Sequence, residues 1–414
     1  MSIESGESGA ALRRGVRTAL VAATLGWAAM PALAAEGDKS FEVYGFAQAD
    51  GIYDFGRMNP DWDDAFRPSK IANPAGIYGS DGQASFSVKQ SRFGIKGTMP
   101  TADGYDPITF KFEFDLFGTG VDAGQTTFRL RYAYGEWGQF LAGQTTSVFM
   151  DLDVFPNVID YWGPNGMVFW RNVQFRWTPY RTGSNEFAIA LEQPSNDVDS
   201  GQIREYDPEL GGNIQGNETM PNLAAHFKTK GDWGHVQVAG LLRDIGYDTK
   251  GTQNNKPKGS VTGWGVNLSG TINTWGKDKI LWQYVYGHGI ASYMNDGGVD
   301  LAPKGRFPTE TDPGNVSPEA IPLTGIVAYY DHYWNEKFST SIGYSTTFVD
   351  NSNLQDGLAY TSGQYTSVNL LYYPVPNIMV GGEVLWGDLE LNDGNTQDDT
   401  RVQFSVQYKW GKTF

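Results

Sequence analysis

The chain has 414 residues, among them 52 glycines, 13 tryptophans and 22 tyrosines but no cysteine, and its net charge is −16. A mean hydropathy of −0.40, with no apolar run beyond the N-terminus as long as the roughly 18 residues a spanning helix needs, excludes a helical membrane protein. The missing cysteines exclude a disulfide scaffold, 40% hydrophobic and 14% aromatic content argues against disorder, and the acidic balance argues against nucleic acid as a partner.

Residues 1–35 read as a secretory signal: Arg13, Arg14 and Arg17 form a charged head, Thr18 to Met30 an apolar stretch, and Ala32-Leu33-Ala34 a cleavage site. The exported remainder, 36–414, reads as one domain and is one unit more negative than the whole chain. Period-two alternation then recurs from end to end, so the fold class is all-β. Sixteen strands are expected near 41–55, 84–98, 106–118, 126–137, 138–146, 168–178, 186–193, 221–230, 234–246, 260–274, 278–293, 322–334, 337–349, 362–374, 377–390 and 399–413. In the clearest, Ile108, Phe110, Phe112, Phe114 and Leu116 alternate with Thr109, Lys111, Glu113 and Asp115. A second sets Phe128, Leu130, Tyr132 and Tyr134 against Arg129, Arg131, Ala133 and Gly135, and the last sets Val402, Phe404, Val406, Tyr408 and Trp410 against Arg401, Gln403, Ser405, Gln407 and Lys409.

Alternation alone leaves open whether the greasy face looks in or out. The connections decide: long ones at 56–83, 119–125, 147–167, 194–220, 247–259, 294–321, 350–361 and 391–398 alternate with tight turns such as Trp137-Gly138 and Trp275-Gly276-Lys277. An even strand number with long loops on one rim and short turns on the other predicts a 16-stranded antiparallel transmembrane β-barrel. Trp137, Trp177, Trp233, Trp275, Trp334 and Tyr372 sit beside the turns, as an interfacial girdle requires.

The chain closes on an amphipathic strand ending in Phe414, which looks like the assembly signal of Gram-negative outer-membrane barrels and implies the barrel assembly machinery as a partner. Gln90-Ser91-Arg92-Phe93-Gly94-Ile95-Lys96, Arg131 to Trp137, Leu141 to Thr146, Phe149 to Asp153, Gly163-Pro164-Asn165-Gly166 and Arg171 to Arg176 resemble the DcaP-like porin family, over most of the mature chain. The resemblance implies a homotrimeric porin in the outer-membrane lipid of a Gram-negative bacterium, passing small anionic solutes, notably dicarboxylates, by diffusion. Some members carry a helical extension before the barrel, for which Glu36 to Ser40 leaves no room.

With the apolar faces toward lipid, Arg92, Arg129, Arg131 and Arg176 point inward, joined by Lys111, Arg243 and Lys409. Guanidinium forks match carboxylates and rings of Arg favour anions. Alternatively the arginines pair with Glu113, Asp115, Glu192 and Glu383 and merely brace a wet tube. The connection at 147–167 mixes Phe149, Met150, Phe155, Tyr161 and Trp162 with Asp151, Asp153 and Asp160, and is expected to fold into the lumen as a constriction that sets carboxylates, with Glu113 and Asp115 on the wall, opposite the arginines. Its alternative is an outer cap or trimer clasp.

The chemistry of an enzyme is not visible. His226, His235, His288 and His332 lack ligand spacing, no nucleophile elbow or phosphate loop appears, and no cofactor is implied. Asp61, Asp63 and Asp64 read as a solvated acidic loop rather than a cation site. The competing functions are a non-selective porin, a plugged barrel serving as surface receptor or adhesin, and an outer-membrane hydrolase.

Overall fold

The computed structural model describes residues 39–102, 104–118 and 127–414. The signal segment expected at 1–35 and the whole of the 119–125 connection lie outside the described residues.

The strands of the first half are β1 (Ser40–Asp54), β2 (Gln83–Ser87), β3 (Arg92–Met99), β4 (Ile108–Asp115), β5 (Arg129–Trp137), β6 (Phe140–Thr146), β7 (Arg171–Arg181), β8 (Asn185–Glu192), β9 (Gln215–Asn217) and β10 (Asn222–Gly231). Those of the second half are β11 (Gly234–Asp248), β12 (Gly259–Asn273), β13 (Lys279–His288), β14 (Leu301–Arg306), β15 (Asn315–Ala320), β16 (Pro322–Asn335), β17 (Phe338–Val349), β18 (Tyr360–Val375), β19 (Ile378–Leu391) and β20 (Thr396–Thr413). All but β14 and β15, which make a separate hairpin, belong to one sheet of 18 segments. β2 and β3 both pair with β1, and β9 and β10 both with β11, so each pair forms one interrupted stave and the barrel has 16 staves. Thirteen residue pairs between β1 and β20, from Glu42↔Thr413 to Asp54↔Arg401, close the cylinder antiparallel and leave it no free edge.

Side-chain exposure gives the orientation. On β20, Arg401, Gln403 and Ser405 are 0% exposed, while Val402 and Phe404 between them are 41% and 54% exposed. Phe112, Leu130 and Phe175 likewise look outward, and Glu113, Asp115 and Gln174 are buried inside. The apolar surface therefore faces hydrocarbon and the lumen is polar. Trp137, Trp177, Trp233, Trp275, Trp334 and Tyr372 are all exposed at the rim of the short turns.

Three expectations need correction. On β5, Glu113 pairs with Tyr132 but Phe114 with Leu130, so a bulge at Arg131 shifts the register. Tyr132 and Tyr134 therefore join Glu113 and Lys111 on the inner face, and Ala133 and Gly135 look at lipid. The expected 391–398 loop is a turn of four residues, because Leu391 and Thr396 still belong to strands. The expected strand 278–293 stops at His288, where Ala291–Tyr293 turn as a buried 3-10 segment. The 194–220 loop also contains α1 (Ile203–Tyr206) and α2 (Pro208–Asn213), which alternation could not foretell.

Phe404 lies near the middle of β20 on the lipid face. Phe404→Arg should destabilise the folded barrel by roughly 2–4 kcal/mol and Phe404→Leu much less, read by urea unfolding in lipid vesicles; equal effects would contradict the assigned face.

Candidate functional site

The segment 147–170, between β6 and β7, runs through the inside of the barrel and is held by inward side chains all round. It starts on one carboxylate: Glu192 on β8 accepts from Ser147 Oγ (2.8 Å), Val148 N (2.8 Å), Asn172 Nδ2 (2.8 Å) and Tyr293 OH (3.1 Å). The next hold is Asp151, buried against β10–β12, where Lys228 Nζ (2.9 Å), His235 Nε2 (2.7 Å) and Ser269 Oγ (2.9 Å) converge. Across the lumen, Glu383 on β19 accepts from the N–H groups of Ile159 (3.1 Å) and Asp160 (3.0 Å). The chain then returns along β16–β18, where Gly166 N donates to Ser345 Oγ (2.8 Å). A Cβ at Gly166 would clash with the carbonyl oxygens of Thr346 and Ile326, so only glycine lets the backbone lie this close to the wall.

The apolar residues of this loop build the core. Val148, Phe149, Met150, Met167 and Val168 pack with Ile290 and Tyr293 onto Ala188, Ala190, Ala224 and Ala239, small residues on the inner faces of β8, β10 and β11. One side of the lumen is thereby filled, and open space remains near β1, β3, β5 and β20.

That space is two cavities. The outer, about 640 Å³, is bordered by Arg67, Lys70, Arg129 and Arg171 among others, together with Asp197, Asp199 and Asp296. The inner, about 320 Å³, is bordered by Phe46, Arg92, Arg131, Asp160, Tyr373 and Lys409 among others. Tyr161 and Phe169, both on the inward loop, border the two alike. Lys70 is half-buried, and its ammonium is pushed below the usual value, first by burial and then by the charge of Arg67.

The expected basic residues fall into four settings. Arg131 is buried between Glu113 (2.7 Å) and Asp115 (2.9 Å), Arg129 binds Asp115 (2.6 Å), and Lys111 lies 3.3 Å from Glu113, so these cations are wholly or partly neutralised on the wall. Arg92 borders the inner cavity, and its Nε has no hydrogen-bond partner among the described residues. Arg176 points inward but donates to Gln174 and to the carbonyl of Thr146. Arg243 does not line the passage: it is sealed under the outer loops by Asp300 (2.8 Å) and the carbonyl of Gly289, and braces them.

The carboxylates correct the expected transverse field. Asp151 is 1% exposed and Asp160 2% exposed, so neither stands free in the passage. Asp160 accepts from Phe66 N (2.9 Å), Gly163 N (2.9 Å) and Tyr365 OH (3.2 Å), and burial pushes its carboxyl up. Asp153 is exposed and shares Lys228 with Asp151, so that the ammonium supplies the positive charge this acidic group needs. Phe414 is exposed at the end of β20, its N–H on the carbonyl of Phe41 (2.8 Å).

Sequence reasoning did not single out Arg67, Lys70 or Arg171 as pore residues. Arg171 opens β7 directly after the loop, a place where strand parity assigns no face; its Nη1 has no hydrogen-bond partner among the described residues.

The whole is a closed 16-stranded antiparallel barrel with an inward loop after its fifth stave. The sequence profile of the DcaP outer membrane protein family matches residues 31–409. The chain belongs to that family. It is an outer-membrane channel protein of the Gram-negative type. The outer membrane channel DcaP of Acinetobacter baumannii superposes with a TM-score of 0.75 at 20% identity, over 91% of this chain and 99% of that one. The anion-selective porin of Comamonas acidovorans gives 0.56 at 9% identity, over 90% and 100%. OmpT of Vibrio cholerae gives 0.53 at 13% identity, over 92% and 100%. None of the curated proteins matches. At these identities the solved structures share the fold with this family member, and the family places it among channels rather than enzymes.

Burial works against the charge on Asp151, but the hydrogen bond from His235 and the charge of Lys228 outweigh it and hold the carboxyl well below its usual range. A depressed folded value means that Asp151 contributes fully above the ordinary carboxylate pKa of about 3.9, and that the contribution fades as pH falls below it. Single-channel records should therefore show added flicker below about pH 4 in the wild type, whereas Asp151→Asn should flicker already at pH 7. Identical traces for the two proteins at pH 7 would refute this anchor.

Proposed function

We propose that the channel passes small anions, dicarboxylates among them, by diffusion and without a chemical step. The observation that carries the reading is a local excess of positive charge. Arg92, Arg129, Arg131 and Arg171 border the passage with Glu113 and Asp115 as nearby carboxylates, and Arg92 and Arg171 have no ion-pair partner among the described residues. In a narrow, partly dehydrated lumen such a field acts on the solute regardless of the negative charge of the whole chain. Arg131 and Arg129, tied to the wall carboxylates, hold that wall in shape, while Arg92 and Arg171 offer forks to a passing carboxylate. The fold shared with an anion-selective porin of Comamonas acidovorans supports the same direction.

The functional unit in this reading is a homotrimer, the state in which Vibrio cholerae OmpT of the same fold has been solved. An N-terminal signal at 1–35 would direct export, and the exposed terminal Phe414 is the handle for the barrel assembly machinery.

Reversal potentials in a potassium chloride gradient test the charge. The wild type should prefer chloride, and Arg92→Gln with Arg171→Gln should lower the chloride-to-potassium permeability ratio by roughly threefold to tenfold. An unchanged ratio would defeat the arginine account, and a wild type that passes no current would point instead to a plugged receptor.

A further inference from the structure

We propose that the passage favours planar aromatic carboxylates over aliphatic carboxylates of the same charge and size; this rests on the anion reading above and names its solute class. The two rings that border both cavities are firmly placed. Tyr161 donates its hydroxyl to Asp115 (3.0 Å), and its ring stacks on Phe117 with centroids 3.6 Å apart and planes 20° apart. Phe169 donates its N–H to the carbonyl of Tyr293 (2.9 Å), and its ring packs against Phe155 at 5.6 Å. A solute moving from the outer cavity to the inner one must cross beside them.

The cations along the way are set on rings rather than scattered. At the outer cavity the Arg67 guanidinium lies 4.3 Å from the ring centre of Trp62 and 4.2 Å from that of Trp162. At the crossing, Arg129 lies 5.2 Å from Tyr161 and Arg171 4.9 Å from Phe169, and below it Arg92 lies 5.2 Å from Phe46. Arg67 is held by Asp296 (2.9 Å) and Arg129 by Asp115 (2.6 Å), so the forks that join an aromatic surface and have no ion-pair partner among the described residues are Arg171 on Phe169 and Arg92 on Phe46. A carboxylate carried on a flat ring can use both at once, its charge on the fork and its ring on the aromatic wall. A saturated ring of equal charge uses the fork alone and is thicker. A polar lumen that needed only water and positive charge would place glutamines and serines here, as the wall does at Gln48, Gln403 and Ser405.

The test is a bi-ionic measurement on the full-length protein in planar bilayers, with sodium benzoate on one side and sodium cyclohexanecarboxylate on the other. Benzoate should be the more permeant by roughly twofold to tenfold, the range one aromatic contact supports. Phe169→Leu should bring the ratio close to one, and Phe169→Trp should keep benzoate ahead. A wild-type ratio near one, or a preference for benzoate that Phe169→Leu leaves intact, would overturn the proposal. The potassium chloride gradient is read separately: no chloride preference there sinks the anion reading itself, whereas chloride preference with equal passage of the two ring acids sinks only the aromatic one.

Discussion

A sheet closed on itself in hydrocarbon has its backbone paired around the ring, but every strand then carries one row of side chains into the lumen, and those polar groups must find partners there. This requirement organises the interior. Arg401 meets Asp54 at 2.6 Å, and Asp50 accepts from Gln48 and Gln90 at 2.9 and 3.1 Å. Glu192 and Glu383 receive backbone N–H groups of the inward loop, so charges that would be costly if left alone become its docking points. The inner wall thus acts as a receptor for the protein's own chain, and the shape of the passage is whatever that docking leaves open.

What it leaves open is asymmetric. Where the inner wall carries alanines, at 188, 190, 224 and 239, the loop brings Phe149, Met150 and Val168 and water is excluded. Where it carries Arg92 and Arg131, the loop stands off and a cavity of about 320 Å³ stays open. The solute path is therefore pushed against the charged wall, and Tyr161 and Phe169 face it because their loop is pinned on the opposite side as well as here. Outward, the same alternation gives the lipid a belt of Phe, Leu and Val, with tryptophans at the rim of the short turns.

The strands were readable because alternation is a local signal and the two solvents differ sharply across a single backbone. It failed where locality fails. The bulge at Arg131 comes from how β5 meets β4, and it inverts the facing of Tyr132 and Tyr134 without any mark in the sequence of β5 itself. Arg243 has the right parity for the lumen, yet loops from far along the chain close over it, with Asp300 lying 57 residues away. Asp151 and Asp160 are acidic in a loop, which suggests exposure, and their partners Lys228, His235 and Tyr365 are 77, 84 and 205 positions distant.

By itself the sequence determined the class of fold, the lipid-facing side of the strands apart from the bulged β5, most of the alternation of long loops and short turns, and the family, since each rests on spacing within a dozen or so residues or on short motifs. Only the tertiary structure decided which arginines remain unpaired, because an ion pair depends on which carboxylate the closed cylinder brings alongside. Arg129 and Arg131 were candidates of the same standing as Arg92 until the register of β4 against β5 set Asp115 and Glu113 beside them. Arg171 stood outside the candidates because a residue at the junction of loop and strand has no face until the loop is docked.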